Sequence, residues 1–225
     1  MSGRDQIFER IRTATGNNPE RQDREALVAR MRTHGVNLMP ARADKPEAER
    51  LELFVAKCEE LGVTVDRLTS SGEVPEAVAA YLTRHNLPAT VRLSPSEDVT
   101  GLPWDQKPMI STTTGAAEIS DQVSVTPAAA GIAETGTLVL TSDPATPATL
   151  NFVPDNHLVV LKRSQVVRAM EDAFGLIRAR YGEGEMPRTV NLVSGPSRTG
   201  DVEQKIVMGA HGPRRLHIML IDDLD

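Results

Sequence analysis

The stretch VTVDRLTSSGEVPEAVAAYLTRHNLPATVRL, residues 63–93, decides the fold class. It begins and ends with short runs rich in β-branched residues, Val63–Leu68 and Ala89–Leu93, which are typical of strands. Between them Pro75 suits the first turn of a helix, and Glu76–His85 continues that helix. A strand, a helix and a second strand in this order predict a parallel sheet, because the helix carries the chain back across the sheet.

More strands and one more helix follow this unit. Apolar runs that suit strands occur at residues 123–127, 137–142, 157–162, 189–195 and 216–222. A helix is predicted from Ser164 to Gly182, because apolar side chains recur there at helical spacing. These side chains are Val166, Met170, Phe174, Ile177 and Tyr181.

Residues 1–60 have a helical pattern. We expect a short helix after Ser2, a second over about residues 22–33, and a third after Pro46. On the third helix one face carries Leu51, Phe54, Cys58 and Leu61, so Cys58 is interpreted as a core residue. The sequence therefore predicts an N-terminal helical segment, residues 1–60, before an α/β domain with a Rossmann-like open sheet, residues 61–225.

Composition excludes several classes of function. The 225 residues carry 25 basic and 31 acidic side chains, and this net charge of −6 disfavours nucleic acid as a partner. The one cysteine permits no internal disulfide and no cluster held by four thiolates of this chain. No apolar run has the length of a membrane span, and the N-terminus lacks the pattern of a signal peptide, so a cytoplasmic protein is expected.

The first candidate site is the segment Gly131–Thr137 (GIAETGT), between two apolar strands. Glu134 stands in a region nearly free of basic residues, and a half-buried carboxylate without a partner can act as a general acid or base. The candidate ligand contacts in this segment are Thr135, Gly136 and Thr137. The alternative is a tight turn whose threonines bond to the local backbone.

The second candidate site is Ser194–Glu203 (SGPSRTGDVE), a predicted loop at the carboxyl end of a predicted central strand. Ligands of open α/β sheets bind at such ends. Hydroxyls, glycines and an arginine that can bind bidentately suit a carboxylate or phosphate. The candidate contacts are Ser194, Gly195, Ser197, Arg198 and Thr199. The alternative is a surface turn in which Arg198 pairs with Asp201 or Glu203.

His211, in the segment GAHGP, is the candidate acid or base beside this loop; the alternative is an exposed turn histidine. The histidines show no metal-ligand spacing, so no metal is expected. The sequence also has no recognisable flavin or nicotinamide motif.

Three segments in this order, GIAETGTLVL (131–140), NFVPDNHLVVL (151–161) and SGPSRTGDVEQKIVMGAHGP (194–213), resemble the LUD-domain family. The resemblance implies a fold like that of the sugar-phosphate isomerase and CoA-transferase superfamily. It also implies a place in a bacterial system that oxidises L-lactate to pyruvate. The partners that it implies are a cysteine-rich protein and an iron–sulfur protein.

Three functions follow from these observations. The first is a subunit without a cluster that binds a small anionic ligand, while the iron–sulfur clusters lie on its partners. The second is an independent enzyme acting on a sugar phosphate or acyl thioester, with Glu134 as base or nucleophile. The third is a regulatory or scaffold protein with a vestigial pocket. The sequence leaves open whether the chain alone is an enzyme.

Overall fold

The computed structural model describes residues 2–14, 24–33, 35, 39–182, 184–202 and 205–224. Residues 22 and 23 of the second predicted helix, and Glu203, lie outside these ranges. The chain divides into two compact units, residues 1–38 and residues 39–225. The first unit contains helices α1 (Gly3–Ala14) and α2 (Arg24–Thr33). Both helices were predicted, and the Ser2 hydroxyl accepts the Asp5 N–H at 3.3 Å at the start of α1.

The second unit contains four helices and twelve strands within the described residues. The helices are α3 (Glu47–Glu60), α4 (Val74–Arg84), α5 (Glu97–Thr100) and α6 (Met170–Tyr181). The strands are β1 (Thr64–Leu68), β2 (Thr90–Leu93), β3 (Ser111–Thr114), β4 (Val123–Pro127), β5 (Ala130–Ile132), β6 (Thr137–Thr141), β7 (Asn156–Lys162), β8 (Val166–Val167), β9 (Val190–Val193), β10 (Arg198–Val202), β11 (Lys205–Met208) and β12 (Arg215–Ile221).

Six of these strands form one open sheet in the order β1-β12-β7-β4-β2-β3, and every neighbouring pair is parallel. The parallel α/β sheet predicted from residues 63–93 is therefore confirmed. The central strand β7 is buried on both faces, since Asn156–Leu161 are all buried, as the apolar run Leu158–Leu161 requires.

Each face of this sheet carries its own apolar cluster. Helix α4 covers one face, where Val78 and Tyr81 pack near Leu158 and Met219. The other face is covered by α3 and by a second sheet, whose strand β6 contributes Leu138 and Leu140.

The second sheet has the order β8-β5-β6-β9. Because side chains alternate along a strand, β6 turns Leu138 and Leu140 to the first sheet and Val139 to the opposite side. On that side Val139 packs in one cluster with Ala173 and Ile177 of α6. The second sheet is thus a layer between the first sheet and α6. The strands β10 and β11 form a separate antiparallel hairpin.

The compact α/β unit begins at Met39 rather than at residue 61. The reason is the packing of α3: Phe54 and Cys58 are fully buried in the cluster that lies on the sheet. The apolar face predicted for this helix is confirmed, and it is part of the core of the α/β unit.

Two local predictions are wrong. The helix predicted from Ser164 begins at Met170, because Val166 and Val167 pair with β5 as a strand. The strand at residues 189–195 is not central in the parallel sheet. It is β9, at the edge of the second sheet and antiparallel to β6.

None of the helices in the described part of the chain combines the length and the apolar character that a bilayer span requires.

Candidate functional site

The two candidate segments meet in space. We call residues 134–137 and 194–199 the loop cluster. The Thr137 hydroxyl lies 2.7 Å from the Ser194 hydroxyl and 2.6 Å from the Thr135 hydroxyl. The pairing of β6 with β9 produces this contact, because Leu138 is opposite Val193. Thr137 is buried while Thr135 and Ser194 are exposed, so the hydroxyl chain opens to solvent at both ends.

Both segments pack against the carboxyl-terminal half of α3. Gly136 has φ +64°, and a Cβ there would lie 2.8 Å from backbone atoms of Lys57 and Cys58. The Cys58 thiol points to the Gly136 carbonyl oxygen at 3.7 Å. Gly195 has φ +94°, and a Cβ added there would lie close to Leu61. These glycines are therefore needed for close packing of the loops on the helix.

Glu134 is not the unpaired carboxylate that the sequence predicted. Its Oε1 accepts a hydrogen bond from Arg42 Nη2 at 2.7 Å. The Glu134 side chain is 12% exposed and that of Arg42 is 74% exposed, so the pair lies at the surface with its carboxylate inside. The argument for an acid or base from a missing partner is wrong, because the partner is distant in sequence.

Arg198 does not point from a loop into a ligand cradle. It is the first residue of β10, and its guanidinium donates to the carbonyl oxygen of Leu61 at the end of α3. Thr199 is also in β10, opposite Val207. The predicted loop is therefore short and ends at Ser197. The Asp201 side chain and Glu203, the alternative partners of Arg198, lie outside what the structure describes.

His211 is exposed and lies near the loop cluster through its backbone. Its N–H donates to the Ser197 hydroxyl at 3.2 Å. The Ser197 backbone holds the same turn, because its N–H donates to Pro213 and its carbonyl accepts from Gly209. The structure thus brings the turn that carries His211 to Ser197, and leaves the imidazole in solvent.

A cavity of about 280 Å³ lies elsewhere, between the carboxyl edge of the first sheet and α6. We call it the edge cavity. Its apolar side includes Ala128, Ala129 and Ala173, and its polar side includes Thr141 and Arg180. None of the predicted site residues lines it. The sequence signal for it was the alanine run directly after β4, because small side chains at a strand end leave room for a ligand.

Two buried histidines lie on the first sheet. His157 Nε2 is 2.7 Å from the Thr126 hydroxyl, and burial lowers the pKa of His157 to about 3. His217 Nδ1 is 2.8 Å from the Thr64 hydroxyl, and burial, partly offset by Asp66, lowers the pKa of His217 to about 4. Both imidazoles are therefore neutral at physiological pH.

Within the described residues, no group of three His, Cys, Asp or Glu side chains is arranged to hold a metal ion. The lone cysteine is chemically quiet, because burial raises the pKa of the Cys58 thiol to about 12.

The fold and the loop cluster define an α/β protein in which two loops of a second sheet pack on α3, a helix that covers the first sheet. Residues 119–221 match the model of the LUD domain. This part of the chain is similar to proteins of the LUD-domain family.

Its curated relatives include two lactate utilization proteins C. The protein of Shouchella clausii is 35% identical over 107 residues, which cover 48% of this chain and 46% of the relative. The protein of Bacillus pumilus is 38% identical over 93 residues, which cover 41% of this chain and 39% of the relative. An uncharacterized protein of Neisseria meningitidis is 42% identical over 91 residues, which cover 40% of this chain and 38% of the relative. The matched segments thus span less than half of each relative.

A solved structure extends the likeness over more of the chain. The crystal structure of a DUF162 family protein from Deinococcus radiodurans superposes with a TM-score of 0.60 at 25% sequence identity. The match covers 79% of this chain and 99% of the other. The relation to the wider superfamily of sugar-phosphate isomerases and CoA transferases stays a prediction.

Proposed function

We propose that this chain is a component of a lactate utilisation system and takes part in the oxidation of L-lactate to pyruvate. The observation that carries the proposal is the similarity of its LUD domain to proteins named lactate utilization protein C. In this proposal the chain binds a small anionic ligand and carries no redox centre of its own. Its partners are a cysteine-rich protein and an iron–sulfur protein, and they carry the electrons.

The chemistry of Cys58 supports this division of labour. Iron–sulfur clusters need several accessible thiolates. The thiol of Cys58 is buried, and its pKa is raised to about 12, so it is a poor ligand for a cluster shared with another chain. Removal of two electrons from a hydroxy acid needs an acceptor. The proposal places that acceptor on the partners.

The sequence assigned the ligand contacts to the loop cluster, and this remains the first location to test. Thr135 and Ser194 offer exposed hydroxyls, and Arg198 is exposed beside them. Glu134 and His211 are the proposed acid–base groups of this location. Since Arg198 donates to Leu61, a ligand there would have to compete with a helix-terminal carbonyl.

The test is reconstitution from purified proteins. The isolated chain is expected to contain no iron and to leave an electron-accepting dye unreduced in the presence of L-lactate. Addition of the cysteine-rich and iron–sulfur partners is expected to start dye reduction, and Cys58→Ala is expected to preserve it. Stoichiometric iron in the isolated chain, or lactate oxidation without partners, would show that the chain is a self-sufficient enzyme.

A further inference from the structure

The edge cavity lies where the connections of two neighbouring strands diverge. β2 and β4 are adjacent and parallel, with Leu93 opposite Val125. The chain that leaves β2 continues to β3 at the outer edge of the sheet, whereas the chain that leaves β4 continues to β7 on the other side. Such a divergence opens a crevice at the carboxyl ends of the strands, and ligands of open α/β sheets bind there.

Residues directly after these two strands line the edge cavity. Ser96 and Asp98 follow β2, and Ala128 and Ala129 follow β4. The loop cluster is at the opposite end of β6, since Thr137 belongs to the cluster and Thr141 to the cavity. Four residue steps along a strand separate them by about 13 Å. The edge cavity is therefore a separate place on the molecule.

We propose that the edge cavity binds a small carboxylate that carries a hydroxyl or keto oxygen beside its carboxyl group. The topology of the first sheet, the volume of the cavity and its lining residues support this location. The choice of a 2-hydroxy or 2-oxo acid rests in addition on the proposed function in lactate utilisation.

Arg180 is the group that receives the carboxylate. Among the described residues that line the cavity it is the only cation, while the charge of Asp98 is balanced by Lys162 at 3.0 Å. Arg180 contacts Asp143 at 3.5 Å. Asp143 does not depend on that contact, because its other oxygen accepts the N–H groups of Ala145 and Thr146 at 2.8 and 2.9 Å. Arg180 can therefore turn to a ligand carboxylate and bind it through two N–H groups.

A hydroxyl pair on the same side receives the second oxygen. Tyr181 donates to the Thr141 hydroxyl at 3.0 Å. The proton of Thr141 is then available to an acceptor in the cavity, and the phenol oxygen of Tyr181 can accept from a ligand hydroxyl. Tyr181 follows Arg180 directly at the end of α6, and both residues line the cavity.

The alanines set the size of the ligand. The volume of about 280 Å³ lies just below the usual range for small-molecule sites, which begins at about 300 Å³. Ala128, Ala129 and Ala173 line the apolar side, and a larger side chain at any of them would fill the space. The cavity thus suits a compact acid rather than a nucleotide.

The experiment measures binding to the full chain by titration calorimetry with L-lactate and pyruvate. Arg180→Gln is expected to weaken binding roughly tenfold or more, the scale of a lost charge-assisted contact. Ala129→Leu is expected to abolish it by filling the cavity. Propionate, which lacks the second oxygen, is expected to bind the wild type more weakly than L-lactate.

One control variant matches the charge change. Arg178→Gln alters another arginine of α6 that does not line the cavity, and it is expected to bind as the wild type does. Arg198→Gln makes the same charge change at the loop cluster and shows whether the acid binds at that location instead. Circular dichroism checks that Ala129→Leu is folded, and Arg180→Gln carries the test if it is not.

The outcomes separate this inference from the proposed function. Loss of binding in Arg198→Gln but not in Arg180→Gln would place the ligand at the loop cluster; it would overturn the cavity site and leave the proposed function intact. Absence of L-lactate and pyruvate binding to the wild type would likewise overturn the cavity site. Reconstitution with the partners decides the proposed function separately.

Discussion

Glu134 and Arg42 are 92 residues apart in the chain, and the fold brings their side chains to 2.7 Å. The pair explains why a carboxylate is tolerated beside the buried strand β6. An ion pair with an exposed guanidinium contributes little net stability, because water still hydrates the guanidinium when its partner is removed. The ion pair therefore does not by itself explain why residue 134 is a glutamate. The proposed acid–base role of Glu134 can be tested by comparing variants of Glu134 and of Arg42.

Glu134→Gln keeps the size of the side chain and removes its titrating proton. We expect this variant to fold, with a free energy of unfolding within about 1 kcal/mol of wild type, and to fail in lactate-dependent growth. Arg42→Gln removes the same ion pair and keeps the carboxylate, so growth is expected to persist. If Glu134→Gln grows as well on lactate as Arg42→Gln does, then Glu134 has only a structural role in its loop.

At the scale of elements, the turn between β5 and β6 depends on contact with α3. The Gly136 N–H donates to the Ile132 carbonyl at 2.9 Å and closes the turn. Its left-handed conformation and its approach to the α3 backbone both exclude a side chain. The helix backbone at Lys57 and Cys58 cannot move away without breaking the buried packing of Phe54.

Gly136→Ala is expected to lower the free energy of unfolding by about 2 kcal/mol or more, from backbone strain and the steric clash together. Urea denaturation measures the change. The control is Gly175→Ala, where a Cβ would meet no heavy atom within 4 Å inside α6. That variant is expected to be more stable than wild type by up to about 1 kcal/mol, because alanine favours a helix. An equal response of both sites would contradict the packing argument.

At the scale of the whole molecule, the first sheet carries one buried, neutral histidine on each of its two faces. His157 is fully buried, and its Nδ1 has no hydrogen-bond partner among the described residues. His217 lies against the Tyr81 ring at 4.9 Å, with Asp66, Arg84 and His85 as its charged or titratable neighbours. Protonation of either imidazole is unfavourable in the folded state.

This burial predicts a loss of stability in mild acid. Above the usual histidine pKa of 6.5 both residues are neutral in the folded and the unfolded chain. Below it the unfolded chain binds protons that the folded chain excludes until about pH 4 for His217 and about pH 3 for His157. Each excluded proton then lowers the free energy of unfolding by up to about 1.4 kcal/mol per pH unit.

Urea denaturation between pH 7 and pH 5 measures this dependence. His157→Gln removes one titrating group, so its free energy of unfolding is expected to fall less steeply over that interval than that of wild type. Parallel curves for the two proteins would show that His157 does not control acid stability.

The amino-acid sequence by itself determined the parallel sheet, the helix α4 and the apolar face of α3. These features depend on local preferences and on periodicity along the chain, which are present before any distant contact forms. Strand pairing is different. The run at residues 189–195 was correctly identified as a strand, but its partner β6 lies 49 to 55 residues earlier in the chain, and no local signal selects it.

The same reason separates the predicted site residues from the observed site. The sequence placed Thr137 and Ser194 in candidate segments, and the tertiary structure joined their hydroxyls through the pairing of β6 with β9. Only the tertiary structure turned Arg198 to Leu61 and paired Glu134 with Arg42. It alone also created the edge cavity, because a cavity is the space between β2, β4, β6 and α6, and the position of these elements depends on packing between residues distant in sequence.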